Sequence, residues 1–403
     1  VTTAEQLART RGLFPPELHD RLWLVGGTVR DLLLGETPAD LDLLAAVPAD
    51  DLLPLGFRPV APRSAAPILF SFHRQWGKIE VSLIGPGPAA VVADLGQRDF
   101  TANAMALSLA GDLIDPLAGQ AALGERLLVP CSARTFVADP LRIFRAFRFA
   151  AHGWQLSPAA AALIRERGWE DSLAGIPAER FSNEMLKALA GPEPAVFFRL
   201  MVQYGVGCTL VPELFRLATV PAGPSEYHPE GDLLTHSLQV LERVAMAGGD
   251  ATARFCALLH DLGKLATPAA LYPRHLGHEA AGPPLIRALC DRLRLPAALR
   301  TAAMAVSRLH QAANHWPELR PRTRLGLASD ALKGRVAGFL PLVVAADKGG
   351  ALMAGWDDIC RIAALSATDL GVDQAVLAAV PPARREALLQ QRRIAMVKRV
   401  AGD

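Results

Sequence analysis

The sequence has no long apolar run. Its longest nearly unbroken stretch, Val336 to Ala346, is interrupted by Pro341 and falls short of the ~20 residues that a spanning helix needs. The first residues, VTTAEQLARTRG, lack the apolar core of a secretory leader. Cysteine is sparse: Cys131, Cys208, Cys256, Cys290 and Cys360 are odd in number, scattered and without a CxxC pair. This usage argues against a disulfide framework and fits buried thiols in a reducing cytoplasm. Charge of one sign is also missing, since 42 Lys+Arg face 40 Asp+Glu for a net +2, so only local patches can speak for or against a nucleic-acid partner. Lysine is the scarcest cation. Lys78, Lys187, Lys264, Lys333, Lys348 and Lys398 leave 36 arginines, whose forked guanidinium suits bidentate phosphate and base-edge contacts, although a GC-rich coding bias produces the same ratio.

What is present is a chain of 403 residues, 51% apolar and 20% charged, which excludes disorder and, at ~150 residues per domain, predicts two or three domains. The first ~115 residues mix short strand patterns with helical ones. LWLVGG (22–27) reads as a strand ending in a glycine pair, TVRDLLLG (28–35) as a short helix closed by glycine, and DLDLLAA (40–46) as an alternating strand. ILFSFH (68–73) and KIEVSLI (78–84) predict a hairpin followed by the loop GPGPA, within a sheet of the five-stranded type. From about Asp139 onward the pattern is helical, and PAGPSEYHPEG (221–231) reads as a linker.

Two groups of residues carry chemistry. Gly26 and Gly27 leave a strand and enter a helix, an arrangement whose unobstructed N–H groups suit phosphate oxygens. Asp40 and Asp42 stand at i and i+2 on the next predicted strand, so both side chains point to one face. Paired carboxylates are costly without a cation between them, and hard oxygen ligands suit Mg²⁺. Glu80 offers a third carboxylate from a neighbouring strand. Taken alone, a D-x-D pair is usually a solvated strand face. Further on, Arg142, Arg145 and Arg148 repeat at i, i+3 and i+6 with Asp139 one turn earlier, while Phe144, Phe147 and Ala151 fall on the packing side. Asp139 accepts and Arg142 donates, so together they can meet a Watson–Crick edge.

GGTVRDLLLGETPADLDL (26–43), QRDFTANAMAL (97–107), DPLAGQAALGERLL (115–128), DPLRIFRAFRFAAHGW (139–154) and AERFSNEMLKAL (178–189) occur in that order. The series resembles the class II tRNA nucleotidyltransferase (CCA-adding) and bacterial poly(A) polymerase family. The resemblance implies a polymerase-β-like α/β head followed by an all-α neck, and template-independent addition of nucleotides from CTP and ATP to a tRNA or other RNA 3′ end. It implies catalytic Mg²⁺ on Asp40 and Asp42, beside which the strand reading sets Glu80 as a candidate catalytic carboxylate. Gly26, Gly27 and Arg30 would lie at the triphosphate, and Arg98, Asp99 and Asn103 at the ribose and metal. Asp139 and Arg142 would read the base, and Arg145 and Arg148 hold phosphates. Three departures stand out. Gln97 replaces a usual Arg, Ala138 replaces an acidic residue that fixes Arg142, and only 17 residues separate Glu80 from Arg98. That interval is longer in complete CCA-adding members and short in members that add only CC, so a CC-adding enzyme is one expectation. Full CCA addition and poly(A) synthesis are the others.

HPEGDLLTHSLQVLE (228–242), RFCALLHDLGKLATP (254–268), YPRHLGHEAAG (272–282) and VVAADKGG (343–350) form the second group. His236, His260, Asp261 and Asp347 offer two imidazoles and two carboxylates, a mixed N/O set suited to a divalent transition metal that can activate water for phosphoester hydrolysis. The order resembles the HD phosphohydrolase superfamily and the HD domain appended to some CCA-adding enzymes, which implies phosphomonoesterase, phosphatase or cyclic-phosphodiesterase chemistry on 2′,3′-ended RNA or small nucleotides. A helical body with a decayed site is the rival reading, and an HD-type hydrolase with an inactive head is the alternative function. His275, His278 and His310 read as additional ligands, phosphate contacts or polar surface, and Gln311 stands where related domains carry Asp. Arg-rich segments 308–326 and 383–400 are candidate RNA contacts. The expected domains are a head (1–130), neck (131–220), HD domain (221–355) and helical tail (356–403), a mostly helical chain with no membrane or DNA partner.

Overall fold

The computed structural model describes residues 2–59, 68–74, 77–350 and 353–401. The chain divides into two compact units, residues 1–167 and 168–403, so the divide falls within the 131–220 segment.

The first unit is built on a mixed sheet of seven strands. These are β1 (Leu22–Val25), β2 (Leu41–Ala45), β3 (Arg58–Pro59), β4 (Ile68–His73), β5 (Gly77–Leu83), β6 (Ala106–Ser108) and β7 (Leu113–Ile114), in the order β3-β4-β5-β2-β1-β6-β7. The five-stranded expectation is thus corrected: β3 and β7 are two-residue edge strands, too short to leave a period in the sequence. Every neighbouring pair is antiparallel except β2 and β5, which run parallel with Asp42 opposite Glu80. β1 is buried along its whole length and pairs with both β2 and β6, which explains its unbroken apolar sequence. Trp23, Val25 and Leu44 on the sheet meet Val91 and Leu95 of the helix Pro88–Leu95. That helix replaces the second half of the expected GPGPA loop. Pro88 at its first position lacks only an N–H that no helix start uses.

The second unit is helical among its described residues. The helix Leu233–Met246 starts at Asp232, whose side chain accepts from Thr235 N at 2.9 Å, an N-cap of ordinary kind. It buries Leu234, Leu238, Leu241 and Val244 together with His236. Ala251–Leu259 is capped the same way by Asp250 and delivers His260 and Asp261 at its end. Ala297–Asn314 packs beside it, His278–Arg292 packs on Ala297–Asn314 and on the turn Leu262–Ala266, and Leu340–Lys348 closes the group. Close approach is possible because position 263 is glycine: a Cβ there would stand 1.9 Å from the carbonyl oxygen of His278, a distance no side chain tolerates.

Candidate active site and candidate metal centre

In the first unit, the chain turns from β1 into the helix Gly27–Leu33 at Gly26, whose φ of +63° and ψ of −130° are open only to glycine. A Cβ there would also meet Arg98 Nη1 at 2.8 Å. Thr28 ties this turn to the carboxylates: its hydroxyl donates to Asp40 O at 3.2 Å and accepts from Asp42 N at 2.9 Å. β2 begins at Leu41, so Asp40 precedes the strand and is exposed while Asp42 is largely enclosed. Burial raises the Asp42 pKa, and the neighbouring Glu80 and Asp40 carboxylates raise it further against the pull of Arg98 and Lys78. Lys78 Nζ lies 2.5 Å from Glu80 Oε2. Asp42 thus feels two neighbouring carboxylates, a repulsion that a hard cation such as Mg²⁺ would remove.

A polar chain runs behind this cluster. Asp31 Oδ1 accepts from Arg30 Nη2 at 2.6 Å, Arg30 Nη1 donates to Asn103 Oδ1 at 2.7 Å, and Asn103 Nδ2 donates to Asp99 Oδ1 at 3.0 Å. Asp99 Oδ2 then meets Arg145 Nη2 at 2.6 Å. Burial would raise the Asp99 pKa, but the Arg145 charge and the Asn103 bond win and hold it below the ordinary carboxylate range. Arg142, Arg145 and Arg148 all belong to the helix Leu141–Ala150, whose other face buries Phe144 and Phe147. Arg142 donates to the carbonyls of Gln97 (2.6 Å), Arg98 (3.3 Å) and Thr135 (3.3 Å). Three backbone acceptors therefore fix the side chain that Ala138 leaves without a carboxylate partner. Asp139 precedes the helix and accepts from Leu141 N at 3.2 Å. Arg30 and Arg148 both lie over the Phe149 ring, at 5.3 and 4.2 Å from its centre. The structure thus joins the arginines of this helix to the residues of the 97–103 motif. Thr28 and Asp94, which pairs with Arg98 at 2.9 Å, were not legible as participants. The i, i+4 spacing of Asp94 and Arg98 was the available signal.

In the second unit, His236, His260, Asp261 and Asp347 converge. His236 Nε2 lies 3.2 Å from Asp347 Oδ1 and 3.6 Å from Asp261 Oδ2, and His260 Nε2 lies 3.3 Å from Asp261 Oδ2. His278 and His310 are part of the same cluster, each with Nε2 3.2 Å from Asp261 Oδ1. Both are buried, which removes the polar-surface reading. His275, also buried, sits apart, with Nε2 2.8 Å from the Pro221 carbonyl and Nδ1 3.1 Å from the Thr267 hydroxyl.

The tautomers are set from outside. Nδ1 of His260, His278 and His310 faces the carbonyls of Ala257, His275 and Ser307 at 2.7, 2.7 and 2.9 Å. His236 Nδ1 faces Glu230 Oε1 at 2.7 Å, and the same oxygen meets His228 Nδ1 at 2.9 Å. Each Nδ1 is thereby the donor, and each Nε2 lone pair points inward, the disposition of a metal-ligating imidazole. Two of these atoms, His236 Nε2 and His260 Nε2, are buried without a hydrogen-bond partner, and an orphaned buried nitrogen calls for a ligand. The donor set fits a divalent transition metal. Lys264 Nζ, 2.7 Å from both Asp261 Oδ2 and Ala222 O, holds the central carboxylate. Burial opposes ionisation of Asp261, yet Lys264 and His260 keep its pKa well below the ordinary range. Burial opposes protonation of His236, yet Asp347 and Asp261 raise its pKa. Glu230 and Lys264 went unread in the sequence, although Lys264 stands at i+3 from Asp261 and the His-Pro-Glu run precedes a helix cap. The 221–231 segment is no bare linker. It bridges Pro221 to Asp232 in antiparallel fashion and supplies His228 and Glu230.

A seven-stranded mixed sheet with a glycine turn facing carboxylates, and a helical unit with an HD histidine cluster, define a polymerase-β-like nucleotidyltransferase joined to an HD domain. Family comparisons agree. Residues 22–54 match the poly A polymerase head domain, 155–217 the probable RNA and SrmB-binding site of polymerase A, and 233–333 the HD domain. A multifunctional CCA protein of Alkalilimnicola ehrlichii is 38% identical over 76% of this chain and 78% of its own length. One of Thioalkalivibrio sulfidiphilus is 39% identical over the same shares. The fold is similar to that of a Bacillus stearothermophilus CCA-adding enzyme in complex with CTP, with a TM-score of 0.65 at 23% identity, covering 100% of this chain and 94% of that one. The chain belongs to the CCA-adding nucleotidyltransferase and poly(A) polymerase family with an appended HD domain.

Proposed function

We propose that this protein adds C, or C and A, from CTP and ATP to the 3′ end of tRNA without a nucleic-acid template, and that its HD centre hydrolyses phosphoesters. The observation that carries the first activity is the Gly26 turn, tied by the Thr28 hydroxyl to the Asp40 carbonyl and the Asp42 N–H and backed by the Arg30–Asn103–Asp99–Arg145 chain. Asp40, Asp42 and Glu80 are the residues that would hold Mg²⁺, which when bound neutralises the leaving pyrophosphate and favours ionisation of the attacking hydroxyl. Gly26, Gly27 and Arg30 receive the triphosphate, Arg98, Asp99 and Asn103 shape the ribose site, and Arg145 and Arg148 hold phosphates. Asp139 accepts from and Arg142 donates to the base. The RNA 3′ oxygen bonds to the α-phosphorus, the bond to the bridging oxygen breaks, pyrophosphate leaves, and the hydroxyl proton passes to a carboxylate or water. Catalysis is positioning and charge stabilisation.

The short helix Pro88–Leu95 in the interval between Glu80 and Arg98 supports a CC-adding version of this reaction, with full CCA addition and poly(A) synthesis as its rivals. The orphaned His236 and His260 nitrogens support the second activity, with a transition metal on His236, His260, Asp261 and Asp347 and with His278 and His310 facing the other oxygen of Asp261. There, water bonds to phosphorus, one ester P–O bond breaks, and the water's proton ends on the leaving oxygen. The head–neck–HD–tail division given above and a cytoplasmic location belong to the same reading. The location draws support from five free cysteines.

Extension of tRNA transcripts ending at the discriminator base, at C or at CC, with labelled CTP or ATP and Mg²⁺, tests it. Products stopping at CC support the short-interval version, a complete CCA end removes it, and long A tracts move the protein to poly(A) synthesis. The double variant D40A/D42A is expected to abolish incorporation while sparing phosphoester hydrolysis. Surviving incorporation overturns the assignment of the carboxylates.

A further inference from the structure

We propose that the cavity outside His236 and Asp347 is a second-phosphate subsite of the HD centre, made to take the phosphorylated 3′ end of an RNA strand rather than an isolated phosphomonoester. This inference rests on reading the HD centre as a phosphohydrolase. The cavity measures about 590 Å³ and is walled by Tyr227, His228, Gln239, Arg243 and Lys348, with His236 and Asp347 at its inner edge. That volume lies within the range of pockets that enclose a whole small ligand, well above the needs of one phosphate group.

His236, Gln239 and Arg243 stand at i, i+3 and i+7 on the helix Leu233–Met246, so they form one stripe leading outward from the cluster. At 1.5 Å per residue, Arg243 sits about 10 Å along the axis from His236. No single phosphate bridges that distance, so a group held by Arg243 must be a further part of a substrate whose scissile phosphate lies at the cluster. Arg243 Nη1 donates to the Ala346 carbonyl at 2.8 Å, which pins the guanidinium between two helices of the site and leaves the rest of its fork for an anion. Lys348, next to Asp347, is exposed and has no acidic partner within ion-pair distance among the described residues. The carboxylates on the wall are already engaged, Glu230 with His228 and His236, and Asp347 with His236. The outer wall therefore presents net positive charge to the phosphate that precedes the scissile one. Tyr227, 78% exposed at the rim, offers a ring face on which a base can stack.

The test uses the full chain loaded with Ni²⁺ and three substrates: p-nitrophenyl phosphate, adenosine 2′,3′-cyclic phosphate, and adenylyl-adenosine ending in a 2′,3′-cyclic phosphate. The dinucleotide is expected to show a KM about tenfold below that of the mononucleotide, the size of one charge-assisted contact. R243A and K348A should each raise the dinucleotide KM about tenfold with kcat nearly constant, leaving p-nitrophenyl phosphate hydrolysis unchanged. Lys348 is exposed and has no ion-pair partner among the described residues, so the effect of K348A is independent of any disturbance that R243A causes at Ala346. Calorimetric titration of the metal-free chain with adenylyl-adenosine 3′-phosphate should show the same weakening in both variants. Equal KM values for the two nucleotides, or a loss shared by p-nitrophenyl phosphate, overturn the subsite and leave the hydrolase intact. A wild-type chain that hydrolyses none of the three overturns the hydrolase reading and the subsite with it.

Discussion

Asp99 shows how a single buried charge is made tolerable and useful. An isolated carboxylate at that depth would shed its charge, but the Arg145 guanidinium, the Asn103 amide and the Phe100 N–H all favour the ionised form. Replacing it by asparagine keeps the shape and strands Arg145. Asp99→Asn is expected to cost about 2 kcal/mol at neutral pH, less than the 3–5 kcal/mol of a fully buried pair, because Arg145 is 34% exposed. The pH dependence has a definite sign. A carboxylate whose folded pKa is depressed contributes stability above its unfolded value of about 3.9, and that contribution fades as pH falls toward the folded value. Urea unfolding at pH 7 and pH 3 should therefore show the gap between wild type and Asp99→Asn narrowing in acid. A gap that is constant or widens would mean that the Arg145 pair is not what depresses Asp99.

At the level of elements, the segment 221–232 has the largest consequence for its length. Its prolines and glycines gave it the look of a connector, and composition alone cannot separate a packed loop from a free one. In the fold it carries Glu230, whose carboxylate sets the ring orientation of His236, and its Ala222 carbonyl receives Lys264. Removing such an outer partner typically costs 10–100-fold in metal affinity. Glu230→Ala is expected to weaken Co²⁺ binding by about that factor, read from the visible absorption of the ion, with nucleotide incorporation unchanged. Glu230→Gln, which keeps an acceptor and loses the charge, should fall between. An unchanged Co²⁺ affinity in both would detach Glu230 from the cluster. The same contrast explains what the sequence could and could not disclose. Gly26, Gly27, Asp40 and Asp42 lie within one short run, so a local pattern of strand, turn and carboxylates exposes them. The pairing of Asp42 with Glu80 needed the parallel β2–β5 register. The meeting of Asp261 with His278 and His310 needed two helices to pack at glycine distance around Gly263 and Gly282. Helix Pro88–Leu95 was hidden because a Gly-Pro-Gly-Pro run signals a turn as readily as a helix start.

For the molecule as a whole, the two proposed ion sites differ in chemistry and lie in two different units. The first offers only carboxylate oxygens, from Asp40, Asp42 and Glu80. The second offers imidazole nitrogens with Asp261 and Asp347. Hard oxygen sites favour Mg²⁺ and mixed nitrogen–oxygen sites favour transition metals, so each unit should answer to its own ion. Ligand held at 100 times its Kd stabilises the state that binds it by about 2.7 kcal/mol, and amides that exchange only through opening of that region then slow about 100-fold. Hydrogen exchange followed peptide by peptide should show Ni²⁺ protecting 233–262 and Mg²⁺ with CTP protecting 22–45. His260→Ala should erase the first protection and leave the second, and Asp42→Ala should do the reverse. His260 is buried and donates to the Ala257 carbonyl, so exchange of the metal-free variant across 233–262, compared with metal-free wild type, separates loss of the ion from loosening of the helix. Protection of 22–45 by Ni²⁺ with none at 233–262 would place the transition metal on the carboxylates and leave the buried imidazoles without a ligand.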